Sequence, residues 1–573
     1  MIAAPAGVSP NPRQRRSRYV MLVVGLALFL AATNVVWILA DRAPPDWDQA
    51  DYLQLSLRLY RAVVAGRPLE WLSAFFHGLG GVKAPLVTVL PLPWYLLLGF
   101  SGDAAVLVNL TALVCFAFIF YALVLELGRS RLAALLAVAI VSTMPLVYGL
   151  SRQFYVEYLL MVWVTWWLYC LVKSDGLRSW RHIFWLGIIG GLGMLLKILF
   201  PVYVLLPAAL LSWRRRADNP RQLGVAWATI LALIFAVAGS WYLLNFKLAM
   251  GFAYAASFGP ASLGYGMGKV WSPQTILAYW RMAANLAVSW WYAAALLLLS
   301  VGYGLRWVRT RGLRAGPKAA YGFLLGWLVL PAGLFTFGVN KDIRYLAPAL
   351  PALAAVIALL VVDLAGRRRT PAAAGLMAFP LFAYLYTSFG IFPPGEIVLG
   401  QQTFAATSQL YAAYLYSGFQ VFAPAERFTF GRYLILSKTL GYAHPPRPPW
   451  PTAEMVELLD RDFLQQPGRE PSVFVVASIP PFNRENFNLQ RSVLGSPLQI
   501  SGTPFGDLSA TRAAALAATY VVTKSGGDDG EAVLSKINAS LKEELAGGRL
   551  PFEKIKEIPL PDGTAASVYR KIK

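Results

Sequence analysis

Carboxylates and cations recur in this chain where apolar runs begin or end. Asp46, Asp48 and Asp51 follow the first such run, in Asp46-Trp47-Asp48-Gln49-Ala50-Asp51-Tyr52. Lys83 opens Lys83-Ala84-Pro85-Leu86, Glu157 stands in Arg152-Gln153-Phe154-Tyr155-Val156-Glu157-Tyr158, and Lys197 closes Gly193-Met194-Leu195-Leu196-Lys197. Arg344 belongs to Lys341-Asp342-Ile343-Arg344-Tyr345-Leu346-Ala347-Pro348. Ionisable groups at membrane depth are costly, and they are functional candidates when they face a polar cavity. The mixture of signs suits one kind of chemistry: a leaving phosphate needs lysine and arginine, and a hydroxyl or amine nucleophile needs a carboxylate base.

Plainer readings stand beside these. Asp46 and Asp51 could be solvated loop or helix-cap acids, and Glu157 could pair with Arg152 at a helix start. Lys197 could snorkel its amine to the surface, and Arg344 could be an interface anchor paired with Asp342. His77 reads as an ordinary loop histidine. Trp166-Trp167 and Trp290-Trp291-Tyr292 read as interfacial or core aromatics.

The elements that must hold these residues are apolar. The 573 residues are 57% hydrophobic and 14% charged, with a mean hydropathy of +0.53. Soluble domains seldom have this composition, and runs of membrane length recur through residue 392. The formal charge of +22 is uneven: residues 1–449 hold 37 basic and 14 acidic residues, residues 450–573 hold 14 and 15. The basic groups gather in short loops: Arg13 to Arg18, Arg129 and Arg131, Lys173 to Arg181, Arg214 to Arg221, Arg306 to Lys318, and Arg367 to Arg369. That is the pattern that orients helices during insertion, not a nucleic-acid footprint, so no nucleic-acid partner is expected.

Putting those loops in the cytoplasm predicts eleven spans near 19–40, 104–126, 132–150, 155–172, 183–197, 199–212, 223–245, 284–305, 320–338, 345–363 and 374–392. The N-terminus is then inside and the C-terminus outside. Residues 41–103 become a large first outer loop, in which residues 84–100, interrupted by Pro85, Pro91 and Pro93, dip into the membrane. Residues 183–212 read as two short helices turning at Lys197–Pro201. The first span is too long for a cleavable signal peptide and lacks a small-residue cleavage site. On this topology Asp48, Lys83, Glu157, Lys197 and Arg344 share the outer side.

Three regions follow: 1–392, a transmembrane catalytic domain; 393–449, a proline- and aromatic-rich linker; and 450–573, a soluble-looking α/β domain outside the membrane. In the last, 472–477 and 518–522 read as buried strands and 552–560 with 566–572 as a hairpin across Pro561-Asp562-Gly563. Helices are expected near 453–465 and 529–546. Cys115 and Cys170 fall inside predicted spans and make neither a disulfide framework nor a metal site.

The order of these motifs resembles that of GT-C glycosyltransferases, nearest the polyprenyl-phosphate-sugar branch that includes protein O-mannosyltransferases and the lipid A aminoarabinose transferase. The resemblance covers roughly residues 19–365 and lies in motif order more than in any one motif. Family patterns read Asp-Glu-Ala-x-Tyr, Lys-Pro-Pro, Leu-Asp, Thr-Lys-Gly and Arg-Tyr-x-x-Pro. This chain departs at Gln49, Ala84, Glu157, Leu196 and Ile198.

The resemblance implies a mainly α protein: a polytopic transmembrane helical bundle of GT-C type with a C-terminal extracytoplasmic α/β domain. It also implies transfer of a sugar from a polyprenyl-phosphate-linked donor, without a nucleotide, to a lipid, protein or glycan acceptor on the outer face. By the motif match Asp48 would be the general base. Lys83 and Arg344 would hold the donor phosphate, with Lys197 as a third contact. Glu157 would orient a sugar hydroxyl or one of the cations, and Asp46, Asp51 and Tyr345 complete the substrate-orienting set. Such a mechanism requires no cofactor and no metal. The short basic loops suit a bacterial inner membrane.

Other classes stay open. An oligosaccharyltransferase or ligase-type polysaccharide assembly protein would share the fold, but oligosaccharyltransferases carry Trp-Trp-Asp, which this sequence lacks. A transporter would more often show two matching halves with broken helices. A serine hydrolase would need a Gly-x-Ser-x-Gly elbow, which is not present.

Overall fold

The computed structural model describes residues 12–215, 219–259, 262, 269–309, 318–389, 396–399, 402–405, 449–466, 470–503, 508–526 and 532–572. Most of the expected linker at 393–449 lies outside the described residues; within it, strands β1 (Glu396–Leu399) and β2 (Gln402–Ala405) pair antiparallel.

The chain enters through α1 (Pro12–Ala40) and then builds the loop of residues 41–103 from α2 (Trp47–Val64), α3 (Pro68–His77), α4 (Leu86–Val89) and α5 (Leu92–Leu98). Prolines explain why the last two are short, because Pro91 separates them and the chain cannot continue one ladder through it. Leu96, Leu97 and Leu98 are left exposed while Tyr95 is buried, as expected of an apolar segment resting against lipid.

The bundle continues with α6 (Gly102–Gly128), α7 (Arg131–Ser142), α8 (Pro145–Leu150), α9 (Val156–Lys173), α10 (Trp180–Leu196), α11 (Phe200–Arg215), α12 (Pro220–Ser257) and α13 (Pro273–Met282). It closes with α14 (Trp290–Arg309), α15 (Lys318–Phe337), α16 (Leu350–Ala365) and α17 (Arg369–Phe389). Ser101, Ser130 and Asn219 cap α6, α7 and α12 by accepting from backbone amides three residues on. Among the described residues seven segments are long and apolar enough to cross a membrane, the last of them, Ile343–Leu385, holding both α16 and α17. Within the described residues each of the eleven expected stretches overlaps helix, the last of them as far as Phe389.

Three of those spans are broken where one continuous helix was expected. The 132–150 span splits at Met144, whose extended ψ of 130° is the conformation that a following proline, here Pro145, favours. The 284–305 span starts as a π turn, Ala283–Val288, and restarts after Ser289 at a φ of 76°. The 345–363 span begins as a 3-10 turn, Ile343–Ala349, with Pro348 inside it.

Close packing in the bundle depends on small residues. Gly187, Gly190 and Gly191 of α10 face Leu233, Ile234 and Val237 of α12, and an added Cβ at Gly191 would stand 2.5 Å from Val237 Cβ. Helices in lipid gain no hydrophobic drive from meeting, so such small-residue contacts supply the attraction through van der Waals packing. The opposite face of α12 is bare, with Leu231, Phe235 and Leu243 exposed.

Beyond the linker, α18 (Thr452–Leu464), β3 (Ser472–Val475), α19 (Arg484–Leu494), β4 (Gln499–Gly502), α20 (Leu508–Ala517), β5 (Tyr520–Lys524), α21 (Ala532–Ala546), β6 (Phe552–Pro559) and β7 (Ala565–Lys571) form a three-layer α/β domain. The strand order is β4-β3-β5-β7-β6, parallel from β4 to β5 and antiparallel beyond. Alternation assigns the faces. Val473, Val475, Tyr520 and Val522 pack under α18 and α19, whereas Phe474, Val476 and Val521 pack against α20 and α21. The expected strands, hairpin and two helices are present; α19, β4 and α20 were not anticipated.

Candidate active site at the junction of the two domains

Each candidate side chain sits at the end of a helix or in the turn before one. Asp48 lies in the first turn of α2 and Glu157 in the first turn of α9, where unpaired amides favour negative charge. Lys197 follows the last residue of α10, and the tight turn there is set by Gly193, whose added Cβ would meet the Phe200 ring at 2.5 Å. Lys83 comes two residues after Gly81, which has a φ of +68° and room for no side chain against Asn245. Arg344 is in the 3-10 turn before α16, where Asp342 caps the turn by accepting from the Arg344 amide at 3.0 Å.

These ends converge. Lys83 Nζ donates to Asp48 Oδ1 at 2.7 Å and lies 3.5 Å from Asp51 Oδ2. Arg344 Nη1 reaches Asp48 Oδ2 at 3.4 Å, while its Nε and Nη2 donate to Asp342 Oδ2 at 2.9 and 2.5 Å. Lys197 Nζ donates to Glu157 Oε1 at 2.5 Å and stands 4.4 Å from the centre of the Tyr345 ring. Tyr155 lies under the Arg344 guanidinium, 4.4 Å away, and its hydroxyl donates to Asp46 Oδ2 at 3.2 Å.

The plainer alternatives fare differently. Glu157 does not pair with Arg152, which donates to Asn34 Oδ1 at 2.8 Å and lies among the rings of Trp37, Tyr148 and Tyr384. Lys197 is turned inward onto Glu157 and is only 20% exposed. Arg344 does pair with Asp342, and it also reaches Asp48. Asp46 is buried, so it is not a solvated acid. His77 is exposed on α3.

Electrostatics separate the two acids of α2. Burial pushes Asp48 up, but Lys83 and then Arg344 outweigh it and hold the carboxyl well below the usual carboxylate range. Asp51 goes the other way: burial, opposed by Lys83 and reinforced by Glu485 and Asp48, pushes it up to about 6. Lys83 is lowered by burial but raised more by Asp48, and ends well above its ordinary value.

One oxygen in the cluster is unsatisfied. Glu157 is 2% exposed, and its Oε2 has no hydrogen-bond partner among the described residues. A buried acceptor left without a donor costs about 1–3 kcal/mol, so this is a place where a ligand hydroxyl or amine would be stabilised.

The second domain covers the same helix. Trp47 Nε1 donates to Ser478 Oγ at 3.2 Å, Gln54 Nε2 donates to Asn488 O and Ser492 Oγ at 3.1 Å, and Arg61 Nη2 donates to Val493 O at 3.2 Å. Asn486 donates to the carbonyl of Pro45. Nothing in the sequence marks this docking or the Tyr155 ring beneath Arg344, whereas the pairing of Arg344 with Asp342 is among its readings. A usable signal was the spacing Asp342-x-Arg344, which lets one side chain cap the other's turn.

The family model described as dolichyl-phosphate-mannose-protein mannosyltransferase matches residues 83–255. The undecaprenyl phosphate-alpha-4-amino-4-deoxy-L-arabinose arabinosyl transferase 1 of Pseudomonas fluorescens is 38% identical over 104 residues, a stretch that spans 16% of this chain and 18% of that protein. ArnT from Cupriavidus metallidurans, bound to undecaprenyl phosphate, aligns over 96% of this chain and 98% of its own, with a TM-score of 0.53 and 12% identity. Its apo form covers 97% and 98%, with a TM-score of 0.50 and 12% identity.

The fold and the run of apolar helices define a multi-pass membrane protein with an ArnT-like bundle and a small C-terminal sheet domain. Residues 83–255 match the mannosyltransferase family model, and the chain as a whole shares the ArnT fold.

Proposed function

We propose that the protein transfers a sugar from a polyprenyl-phosphate donor to a nucleophilic acceptor on the outer face of a bacterial inner membrane. The observation that carries this reading is the placement of one carboxylate, Asp48, between two cations, Lys83 and Arg344, at the junction of the membrane and C-terminal domains. The undecaprenyl phosphate bound to ArnT, a protein of the same fold, supports a lipid-phosphate donor.

The step is a displacement at the anomeric carbon. An acceptor hydroxyl or amine attacks C1 as Asp48 takes its proton, and the bond from C1 to the phosphate oxygen breaks with its electron pair passing to the phosphate. The leaving group thus goes from a phosphodiester with one negative charge to a polyprenyl monophosphate with two. Lys83 and Arg344 meet more charge in the transition state than in the ground state, which is the condition for an interaction to accelerate the step. Loss of one such donor typically costs about 10²–10³ in turnover. Lys197 and Tyr345 stand beside Glu157, whose unpaired oxygen would take a sugar hydroxyl or amine. Asp46 acts through Tyr155 as a positioning residue for Arg344, and Asp51 borders the acceptor side next to Glu485.

The test is transfer of radiolabelled sugar from a panel of polyprenyl-phosphate donors into membrane extracts. Wild type is expected to label an acceptor, and Asp48→Asn to lose at least about 10²-fold of that rate while inserting normally. Equal labelling by both proteins would remove Asp48 from the chemistry. The nature of the label and of the labelled product would identify the sugar as pentose or hexose and the acceptor as lipid, protein or glycan.

A further inference from the structure

We infer that Asp48 occupies the donor phosphate's place on Lys83 and Arg344, so that donor binding and release of the base are a single exchange of ion-pair partners. This rests on the donor reading above and adds an order of events to it.

The two cations assigned to the phosphate are both engaged by the assigned base. Lys83 holds Asp48 Oδ1 at 2.7 Å and Arg344 approaches Oδ2 at 3.4 Å, so both carboxylate oxygens face a cation. Neither cation depends on Asp48 for its position. Arg344 is fixed by Asp342, which takes two of its nitrogens and caps its turn, and by the Tyr155 ring beneath it. Lys83 has Asp51 as a second partner at 3.5 Å and lies 5.3 Å from the centre of the Tyr52 ring. The cations therefore form a fixed cradle, and Asp48 is its exchangeable occupant.

A phosphodiester carries one negative charge, as Asp48 does. It can take the carboxylate's place on the two cations charge for charge, leaving Asp48 ionised beside them. Once displaced, Asp48 keeps its partial burial and loses the contacts that suppress its affinity for a proton. A base held in this way is inert until the leaving group is seated, and an acceptor arriving first meets no effective base. The consequence runs against ordinary expectation: removing the catalytic carboxylate should strengthen binding of the lipid phosphate.

The experiment measures the dissociation constant of undecaprenyl monophosphate in detergent for wild type, Asp48→Asn, Asp48→Ala and Lys83→Gln. Each protein is first checked for a monodisperse elution profile, and the alanine variant serves if the asparagine variant does not fold. Both Asp48 variants are expected to bind roughly threefold tighter than wild type, the ratio for breaking one partly exposed ion pair, and Lys83→Gln to bind more weakly. Asp48 variants that bind no better than wild type, with Lys83→Gln still weakened, would overturn the exchange and leave the donor site standing. Absence of binding by every protein, wild type included, would overturn the exchange and the donor reading together.

Discussion

Glu157 and Asp51 are two acids at the end of an apolar run, and their surroundings set them to opposite tasks. Glu157 is fixed on one oxygen by Lys197 and empty on the other. Glu157→Gln is therefore expected to weaken binding of a sugar-bearing donor about tenfold, within the cost of one lost charged hydrogen bond, and to leave bare lipid phosphate unaffected. A calorimetric comparison of the two ligands checks this; equal losses for both would assign Glu157 to the phosphate instead. For Asp51 the prediction concerns pH. Its carboxyl titrates near 6 in the folded protein against an ordinary value of 3.8. A carboxyl raised on folding favours the native state when protonated, so its contribution is fully present below pH 4 and is lost as pH rises through 6. Asp51→Asn removes that loss. Its melting temperature is expected to exceed that of wild type at pH 8 and to match it below pH 4. A difference that stays constant with pH would show that Asp51 ionises without cost. The candidate residues were legible in the sequence because ionisable groups are rare beside apolar runs. Of the partners of Arg344, Asp342 was legible from its place two residues away, and Tyr155 was not, since nothing in composition marks a ring that will lie under a guanidinium.

At the scale of elements, α2 does the joining. Trp47, Gln54 and Arg61 recur at helical spacing and bond to the C-terminal domain, whereas Gln49, Tyr52, Leu53 and Ser56 are buried toward the membrane domain. Gln49 ties this inner face to the 151–155 loop, bonding to Gln153 and to the Phe154 amide. Asp48 sits at the end of the helix where the two faces meet. Orientation of the Asp48 carboxylate thus depends on both domains gripping one helix. Gln54→Ala combined with Asn486→Ala removes hydrogen bonds on the outer grip without touching a charged group. The pair is expected to slow transfer several-fold, to leave lipid-phosphate binding intact, and to increase limited proteolysis at the domain junction. Unchanged transfer despite faster proteolysis would mean that the inner grip suffices. The spans themselves were legible from basic loops and apolar length, and the strands of the C-terminal domain from their apolar runs. Helix α19 was not. Its sequence Arg-Glu-Asn-Phe-Asn-Leu-Gln-Arg looks polar because it packs Leu489 into the membrane domain's core and bonds to α2 through Asn486 and Asn488. Such a helix is stabilised by contacts more than four hundred residues away in sequence, which no local pattern records.

For the whole molecule the decisive quantity is the side of the membrane that the site faces. The charged cluster, the loop of residues 41–103 and the C-terminal domain all lie at one end of the bundle, joined through α2. The arginine- and lysine-bearing turns at 129–131, 173–181 and 366–369 join helices at their other ends. On the proposed orientation, the positive-inside bias would put those turns in the cytoplasm and hence the site outside. Cysteine reporters test this orientation in a background where Cys115 and Cys170 are replaced by serine. Ser73→Cys in α3 and Ser509→Cys in α20 report on the site's end, and Arg178→Cys on the other; all three positions are exposed. A membrane-impermeant maleimide applied to spheroplasts is expected to label the first two and to label Arg178→Cys only after permeabilisation. The reverse pattern would put Asp48 in the cytoplasm. The acceptor would then have to be cytoplasmic too, and the basic loops would face the outer solution against the charge bias that orients the other helices. Labelling of Ser73→Cys without Ser509→Cys would separate the two domains across the membrane, which the hydrogen bonds from Trp47, Gln54 and Arg61 to the C-terminal domain forbid. The same three reporters thus test the orientation of the spans and the docking of the domain over Asp48.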